Sequence, residues 1–373
     1  MSNILDMSNI LDIDLRIDEY LERVFRISKS YSTKRSYKGA LNKFQRFLSK
    51  ENTDLSSLLK DLNEKKKDPI IILDSFYTYL SKENASKSTI AGYLCVTKDF
   101  LNFHGMHIYN EDVKRRFRTP KREVFYEEGL TKAKINRLLH SSPPKLQVAI
   151  LLTCSSGLRI GEMVQLKLSD IDFSTTPTTI RARRETTKTR ETRFTHITSE
   201  ATKVLNDYLE RTLPKTSQNT GDSYLFLNYQ GEEGCHDYHK AVISTRGTFM
   251  NMLRELATSI PELSTRNENG QYNIHFHAFR KWFKTQVTTA QQSDFAEALM
   301  GHKSIKLDYY KQSKEDRMKT YLKLESHLTI SDHKTVEKNL EKISIKHAQL
   351  ESKVDELMKY LRTNSIRVPD NLI

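Results

Sequence analysis

The chain is 373 residues long, and 60 Lys plus Arg against 47 Asp plus Glu give it a formal charge of +13. That excess favours a polyanionic partner. With 37% hydrophobic residues but only 12 Gly and 8 Pro, collagen-like and low-complexity chains are excluded and helices are favoured.

The length suits two domains better than one continuous core. No apolar run approaches the ~20 residues that cross a bilayer, and no secretory signal pattern is present, so the sequence predicts a cytoplasmic protein with no membrane partner. Cys95, Cys154 and Cys235 are too few and too scattered for a disulfide framework or a four-ligand zinc site, and they read as reduced packing residues.

In chain order, a hexapeptide occurs twice, Met1 to Asp6 and Met7 to Asp12, and residues 1–13 are expected to be disordered. From 14 to 105 apolar residues recur at helical spacing. Leu41, Phe44, Phe47 and Leu48 follow a cap candidate at Thr33; Tyr93, Val96, Phe100, Leu101 and Phe103 follow one at Ser88. This predicts a domain of about four helices, closed by Gly105.

Residues 106–126 read as an interdomain linker. Its basic run, Lys114, Arg115, Arg116, Arg118, Lys121 and Arg122 with Pro120 inside, does not suit a packed helix. It suits a linker that crosses a phosphate backbone and neutralises it.

A second domain is expected over 127–330, with Thr131 capping its first helix. Between Thr178 and Ile197 the pattern becomes β-branched and alternating, which predicts a basic antiparallel hairpin carrying Arg181, Arg183, Arg184, Arg190 and Arg193 as DNA contacts. Residues 331–373 form a separate tail. Val336, Leu340, Ile343, His347, Leu350, Val354, Leu357 and Leu361 alternate four and three apart, the seam of a coiled coil suited to self-association. A core-packed terminal helix would show a similar stripe.

Three distant segments carry the chemistry. Arg159 and Glu162 stand at i, i+3 after Ser156-Gly157-Leu158; His277 and Arg280 stand one turn apart; Gly301-His302 precedes Tyr309 and Tyr310. Each pair alone is a common surface arrangement. In this order and spacing, the set resembles the tyrosine recombinase (phage integrase) family, most nearly its archaeal, Xer-like or transposon-encoded members.

The resemblance implies a mainly α protein. It has an N-terminal helical, SAM-like core-binding domain and an α+β catalytic domain with a small antiparallel hairpin or sheet. It places catalytic roles on Arg159, Lys188, His277, Arg280, His302 and Tyr310, with Tyr309 as the alternative nucleophile. Tyr310 lies eight residues after His302, whereas the family usually places its nucleophile nine or ten after, and this favours the later tyrosine. Successive helical side chains point about 100° apart, so only one of the pair can face the phosphate.

The residue types suit the reaction independently. Two guanidiniums can clamp the non-bridging oxygens of a phosphodiester in planar, bidentate geometry. His277 can donate to the same oxygens or shuttle the nucleophile's proton, and Lys188 on the hairpin tip can protonate the leaving 5′ oxygen. Glu162 orients Arg159 or forms a plain surface ion pair, and His302 buttresses the phosphate or the tyrosine.

The resemblance further implies double-stranded DNA as partner, a clamp around the duplex, a tetramer on DNA, and a prokaryotic, nucleoid-associated setting. No metal, ATP or other cofactor is expected. Two rival readings are a type IB topoisomerase and a catalytically silent DNA-binding architectural protein. Residues 114–123 and 181–193 together hold +9 of the net charge of +13, which locates the expected DNA path.

Overall fold

Short polar side chains open most helices of the amino-terminal unit by accepting from backbone N–H groups that a first turn leaves unpaired. The structure, a computed structural model, describes residues 2–118, 128–212, 222–267, 270–302, 312–331 and 353–354, with side chains from Leu15 onward. It divides into two units, Met1–Tyr126 and Glu127–Ile373.

In the first unit Ser30 caps α2 (Tyr31–Lys50) at Thr33 N, 3.2 Å, and Asp54 caps α3 (Leu55–Asn63) at Ser57 N, 2.8 Å. Asp68 caps α4 (Pro69–Lys82) and Ser86 caps α5 (Lys87–Phe103). Ser30 and Ser86 precede the expected caps, Thr33 and Ser88, because it is their hydroxyls that accept from Thr33 N and Thr89 N and so open each helix two or three residues earlier. Gly105, at φ +93°, ends the last of these helices as the sequence predicts.

Two expectations are corrected. α1 (Ser2–Ser28) takes in the duplicated hexapeptide, where disorder was expected; no glycine or proline interrupts this stretch. The basic run is also partly helical, since Lys114, Arg115 and Arg116 form the last turn of α6 (Asn110–Arg116). Cations at a helix C-terminus and Glu111 and Asp112 in the first turn both complement the helix dipole. Arg116 Nε reaches Asp74 Oδ2 at 2.9 Å, and Phe117 stacks on Tyr77. Lys121 and Arg122 lie outside the described residues. Between these helices sit Tyr20, Phe44, Phe76 and Phe100, fully buried, with Phe44 and Phe76 edge-to-face at 5.1 Å. Each such ring contributes about 1.5–3 kcal/mol by leaving water.

The second unit is organised by α8 (Pro144–Ser156), in which Leu146 and every residue from Val148 to Ser156 are buried. A helix apolar on all sides belongs inside a domain. It follows α7 (Lys132–Ser141), capped by Thr131, and is flanked by α10 (Ser199–Thr212) and α12 (Phe276–Thr289). The expected hairpin is present. β2 (Thr179–Ala182) pairs antiparallel with β3 (Arg193–His196) in the register Ile180 to Thr195 and Ala182 to Arg193, and the two-residue β1 (Ile171–Asp172) joins as a third strand.

The remaining described α-helices of this unit are α9 (Ile160–Met163), α11 (His236–Ser259), α13 (Ser293–Met300) and α14 (Lys314–Leu328). The coiled-coil seam, Val354 apart, lies outside the described residues. No described helix is long and apolar enough to cross a membrane.

His196, buried on β3, accepts or donates at Thr179 Oγ1, 3.2 Å away, and its ring packs on Tyr321. Burial, with Arg317 and Lys314 nearby, pulls its pKa down to about 4 from 6.5. Above 6.5 the ring is neutral whether the chain is folded or unfolded, so it contributes nothing to the pH dependence. Below that value the unfolded chain takes up a proton that the folded ring refuses until about pH 4, so stability falls as pH falls through this window. This group alone accounts for a loss of up to about 3 kcal/mol. Trp282, the single tryptophan, is buried in this unit, so its fluorescence reports the unit's unfolding. Denaturant titrations across this pH range should show a shallower acid loss for His196→Gln than for the wild type; parallel curves would refute the assignment.

Candidate active site

A helix leaves its last carbonyls without intrahelical partners, and at the end of α8 three other elements supply donors. Tyr321 Oη on α14 donates to Ser155 O at 2.7 Å, Thr195 Oγ1 on β3 donates to Ser156 O at 2.8 Å, and Arg280 Nη1 on α12 donates to Gly157 O. Gly157 turns the chain at φ +64°, where a Cβ would lie 2.6 Å from the Phe283 ring. Only glycine fits. Tyr321 is fully buried, and burial raises its phenol far above the ordinary value.

The turn delivers Arg159 to the start of α9. Glu162 reaches back, its Oε2 accepting from Arg159 N at 2.8 Å and its Oε1 from Arg159 Nη1 at 3.0 Å. The carboxylate is 2% exposed and also receives Arg193 in a fork, Nη1 to Oε1 at 3.0 Å and Nη2 to Oε2 at 2.5 Å. Burial alone would raise its pKa, but Arg193 and Arg159 outweigh that and hold it below the usual carboxylate value. Arg193 Nε continues to Leu299 O at 2.9 Å, and Gly301, at φ +65°, leaves room for the arginine stem, which a Cβ would meet at 2.8 Å.

Arg280 is 1% exposed, and its Nη2 donates to Met300 O at 2.9 Å and to His302 Nε2 at 3.0 Å. Burial, reinforced by the Arg159 charge, pulls it down to about 9, still protonated at neutral pH. His302 Nδ1 bonds Glu297, which also pairs with Lys284. The accepting Nε2 implies that Nδ1 carries the proton. Burial lowers the His302 pKa despite Glu297, so the ring is neutral near pH 7. Arg159, Arg193 and Arg280 thus converge around the buried carboxylate of Glu162, an arrangement that leaves cationic charge available for an anion.

The structure brings together Arg159, Glu162, Arg280 and His302. His277 is exposed on the first turn of α12, Lys188 is exposed on the hairpin, and Tyr309 and Tyr310 lie outside the described residues. His275 Nδ1 bonds Asn273 O, and Trp282 is core. Cys154 is buried, but Cys95 is exposed and Cys235 caps α11. Among the described residues no three His, Cys, Asp or Glu side chains cluster as metal ligands.

Two expected DNA contacts are corrected. Arg193 is 8% exposed and committed to Glu162, while Arg183 bonds Asp170 Oδ2 at 2.9 Å, Glu233 at 3.0 Å and Gln165 O at 2.7 Å. Both charges are neutralised inside the fold. Arg181 also leans on Asp170 at 3.1 Å, though it remains half-exposed, and Arg184 is exposed beside Glu185. Reading period-2 alternation on β3 places Phe194 inward, yet Phe194 is exposed and Arg193 is buried. Glu297 was missed because nothing local marks a glutamate five residues before a histidine.

Glu162 and Arg193 form a buried pair, and losing one partner strands the other charge at a cost of about 3–5 kcal/mol. Glu162→Gln and Arg193→Met should each cost about that much in the unfolding transition reported by Trp282. The double variant should cost less than the sum of the two; additive losses would show that the pair is not coupled.

A profile of the phage integrase family matches residues 128–317, just over half of the chain. The chain is 26% identical over 313 residues to tyrosine recombinase XerC of Herpetosiphon aurantiacus, covering 81% of this chain and 91% of that protein. It is 24% identical to XerC of Listeria innocua, covering 83% and 96% respectively. Among solved structures, a lambda integrase dimer bound to a COC′ core site is 17% identical, with 81% of this chain and 95% of that chain covered and a TM-score of 0.51, a likeness of fold. The chain belongs to the phage integrase family of tyrosine recombinases, enzymes that cleave and rejoin DNA.

Proposed function

We propose that this recombinase exchanges strands at a specific DNA site through a 3′-phosphotyrosyl intermediate on Tyr310. The observation that carries this reading is the convergence of Arg159 and Arg280, from segments 121 residues apart in sequence, on one site with His302. A phosphodiester in that site neutralises two guanidiniums whose positions are already set, so little reorganisation accompanies charge build-up in the transition state. This also offsets the desolvation that lowers Arg280, because an anion beside it favours the charged form.

In the forward step the Tyr310 oxygen bonds to phosphorus, the bond from phosphorus to the 5′ oxygen breaks, and Lys188 protonates the departing oxygen. His277, exposed one turn before Arg280, takes the phenol proton or donates to a non-bridging oxygen. His302, held by Glu297, supports Arg280. The 5′-hydroxyl of a partner strand then attacks the phosphotyrosine and releases the phenol. The phosphodiester energy stays in the covalent bond, so this scheme needs neither metal nor ATP.

Double-stranded DNA is the substrate, supported by a neighbouring structure in complex with DNA. Lys114, Arg115, Arg116 and Arg118, all exposed, supply backbone contacts, joined by Lys121, Arg122, Arg181, Arg184 and Arg190. Exchange between two duplexes requires several protomers, and the heptad seam of residues 336–361 provides a route to a tetramer on DNA. This activity places the protein at the cytoplasmic nucleoid.

A duplex nicked beside the cleavage site traps the intermediate. Wild type should form a covalent adduct and Tyr310→Phe none; an adduct that survives Tyr310→Phe but not Tyr309→Phe reassigns the nucleophile. Arg280→Ala should lower the adduct rate on the order of 10² or more. Truncation after Ile330 should weaken self-association in sedimentation more than binding to a single site, and unchanged sedimentation rules the tail out as the contact.

A further inference from the structure

The tip of the hairpin is held by one buried hydroxyl. Ten residues, Arg183 to Thr192, link β2 to β3, and within this mostly polar loop Thr187 is only 5% exposed. Its Oγ1 accepts from Glu191 N at 3.1 Å and lies 3.0 Å from Glu191 O and 3.2 Å from Arg184 O, to either of which it can donate.

The hydroxyl therefore ties the two arms of the loop across the residue that follows it. That residue is Lys188. Arg190 N returns to Thr187 O at 3.3 Å, which places Lys188 as the second residue of a four-residue turn, and Arg190 closes the turn at φ +56°. The base of the loop is anchored separately, because Arg183 is fixed to Asp170, Glu233 and Gln165 O and Thr186 bonds Arg183 O at 2.9 Å.

We infer that Thr187 is a positioning residue for proton transfer, holding the turn that aims the Lys188 ammonium at the leaving 5′ oxygen. Lysine carries its charge on a stem with several rotors, so the position of its Cα and the direction of its Cβ are what the protein controls. An exposed loop does not control them by packing. Here the Thr187 hydroxyl does, by accepting from the N–H of Glu191 while donating to Glu191 O or Arg184 O. The inference rests on the reading of Lys188 as the proton donor.

The leaving atom separates this role from a merely structural one. An alkoxide is as poor a leaving group as hydroxide, with a conjugate-acid pKa of about 16, and needs a proton as the bond to phosphorus breaks. A thiolate, with a conjugate-acid pKa of about 8.5, leaves without one. The test compares two nicked duplexes with the site cleaved by the wild type, one with the ordinary 5′ oxygen at the scissile phosphate and one with sulfur in that bridging position.

Lys188→Ala should lose on the order of 10² to 10⁴ in adduct rate on the oxygen substrate and recover on the sulfur substrate. Thr187→Val, which keeps the shape and removes the hydroxyl, should lose about 10² or less on oxygen, recover to within a few-fold of wild type on sulfur, and be restored by Thr187→Ser. If Thr187→Val matches the wild type on oxygen, or is equally impaired on both substrates, the inference is overturned while the Lys188 assignment stands. If Lys188→Ala fails to recover on sulfur, or if the wild type forms no adduct on either duplex, the reading beneath the inference falls and takes it along.

Discussion

The terminal carbonyls of α8 are the constraint on which the catalytic unit depends. A helix buried on every side cannot hand its last C=O groups to water, so each must find a protein donor or pay for desolvation. Tyr321, Thr195 and Arg280 answer that demand from α14, β3 and α12. Three elements distant in sequence are thereby pinned to one point, and that point is where the chain turns to present Arg159. The arginine cluster follows from backbone satisfaction as much as from any pairing of charges.

Glu162 is the second tie. One carboxylate caps the backbone of Arg159, holds its guanidinium and takes the fork of Arg193, which in turn grips Leu299 O beside the glycine and histidine of the third motif. Electrostatics decides how this network behaves. A buried carboxylate alone would be protonated, and buried arginines alone would not be tolerated. Together they remain charged and keep a positive excess. That excess favours an anion.

The hairpin shows the same economy on a smaller scale. Of its six basic side chains, Arg183 and Arg193 serve the fold, one at the base of the loop and one at the start of β3, and Thr187 clasps the tip. The charge that the sequence assigns to the DNA path is therefore smaller at the protein surface than a residue count implies. What the two internal arginines contribute instead is the fixed stem from which the exposed lysine projects.

Much of the molecule was legible in the sequence because the signals are local. Helical periodicity placed α2 and α5, Thr131 marked the start of α7, alternation marked the hairpin, and the order of Arg159, Arg280 and His302 named the family. Each depends on neighbours within a turn or a pair of strands. Two misreadings, the roles of Arg183 and Arg193, have a common physical cause. A basic residue in an alternating strand looks solvent-bound until a carboxylate from another segment is known to face it, and Asp170, Glu233 and Glu162 arrive only through the tertiary fold. The same is true of Glu297 behind His302. The sequence by itself determined which chemistry the chain carries, since residue types and spacing set that. Only the tertiary structure decided which cations are committed to holding the site and which stay exposed, because that division depends on burial and on partners from distant segments.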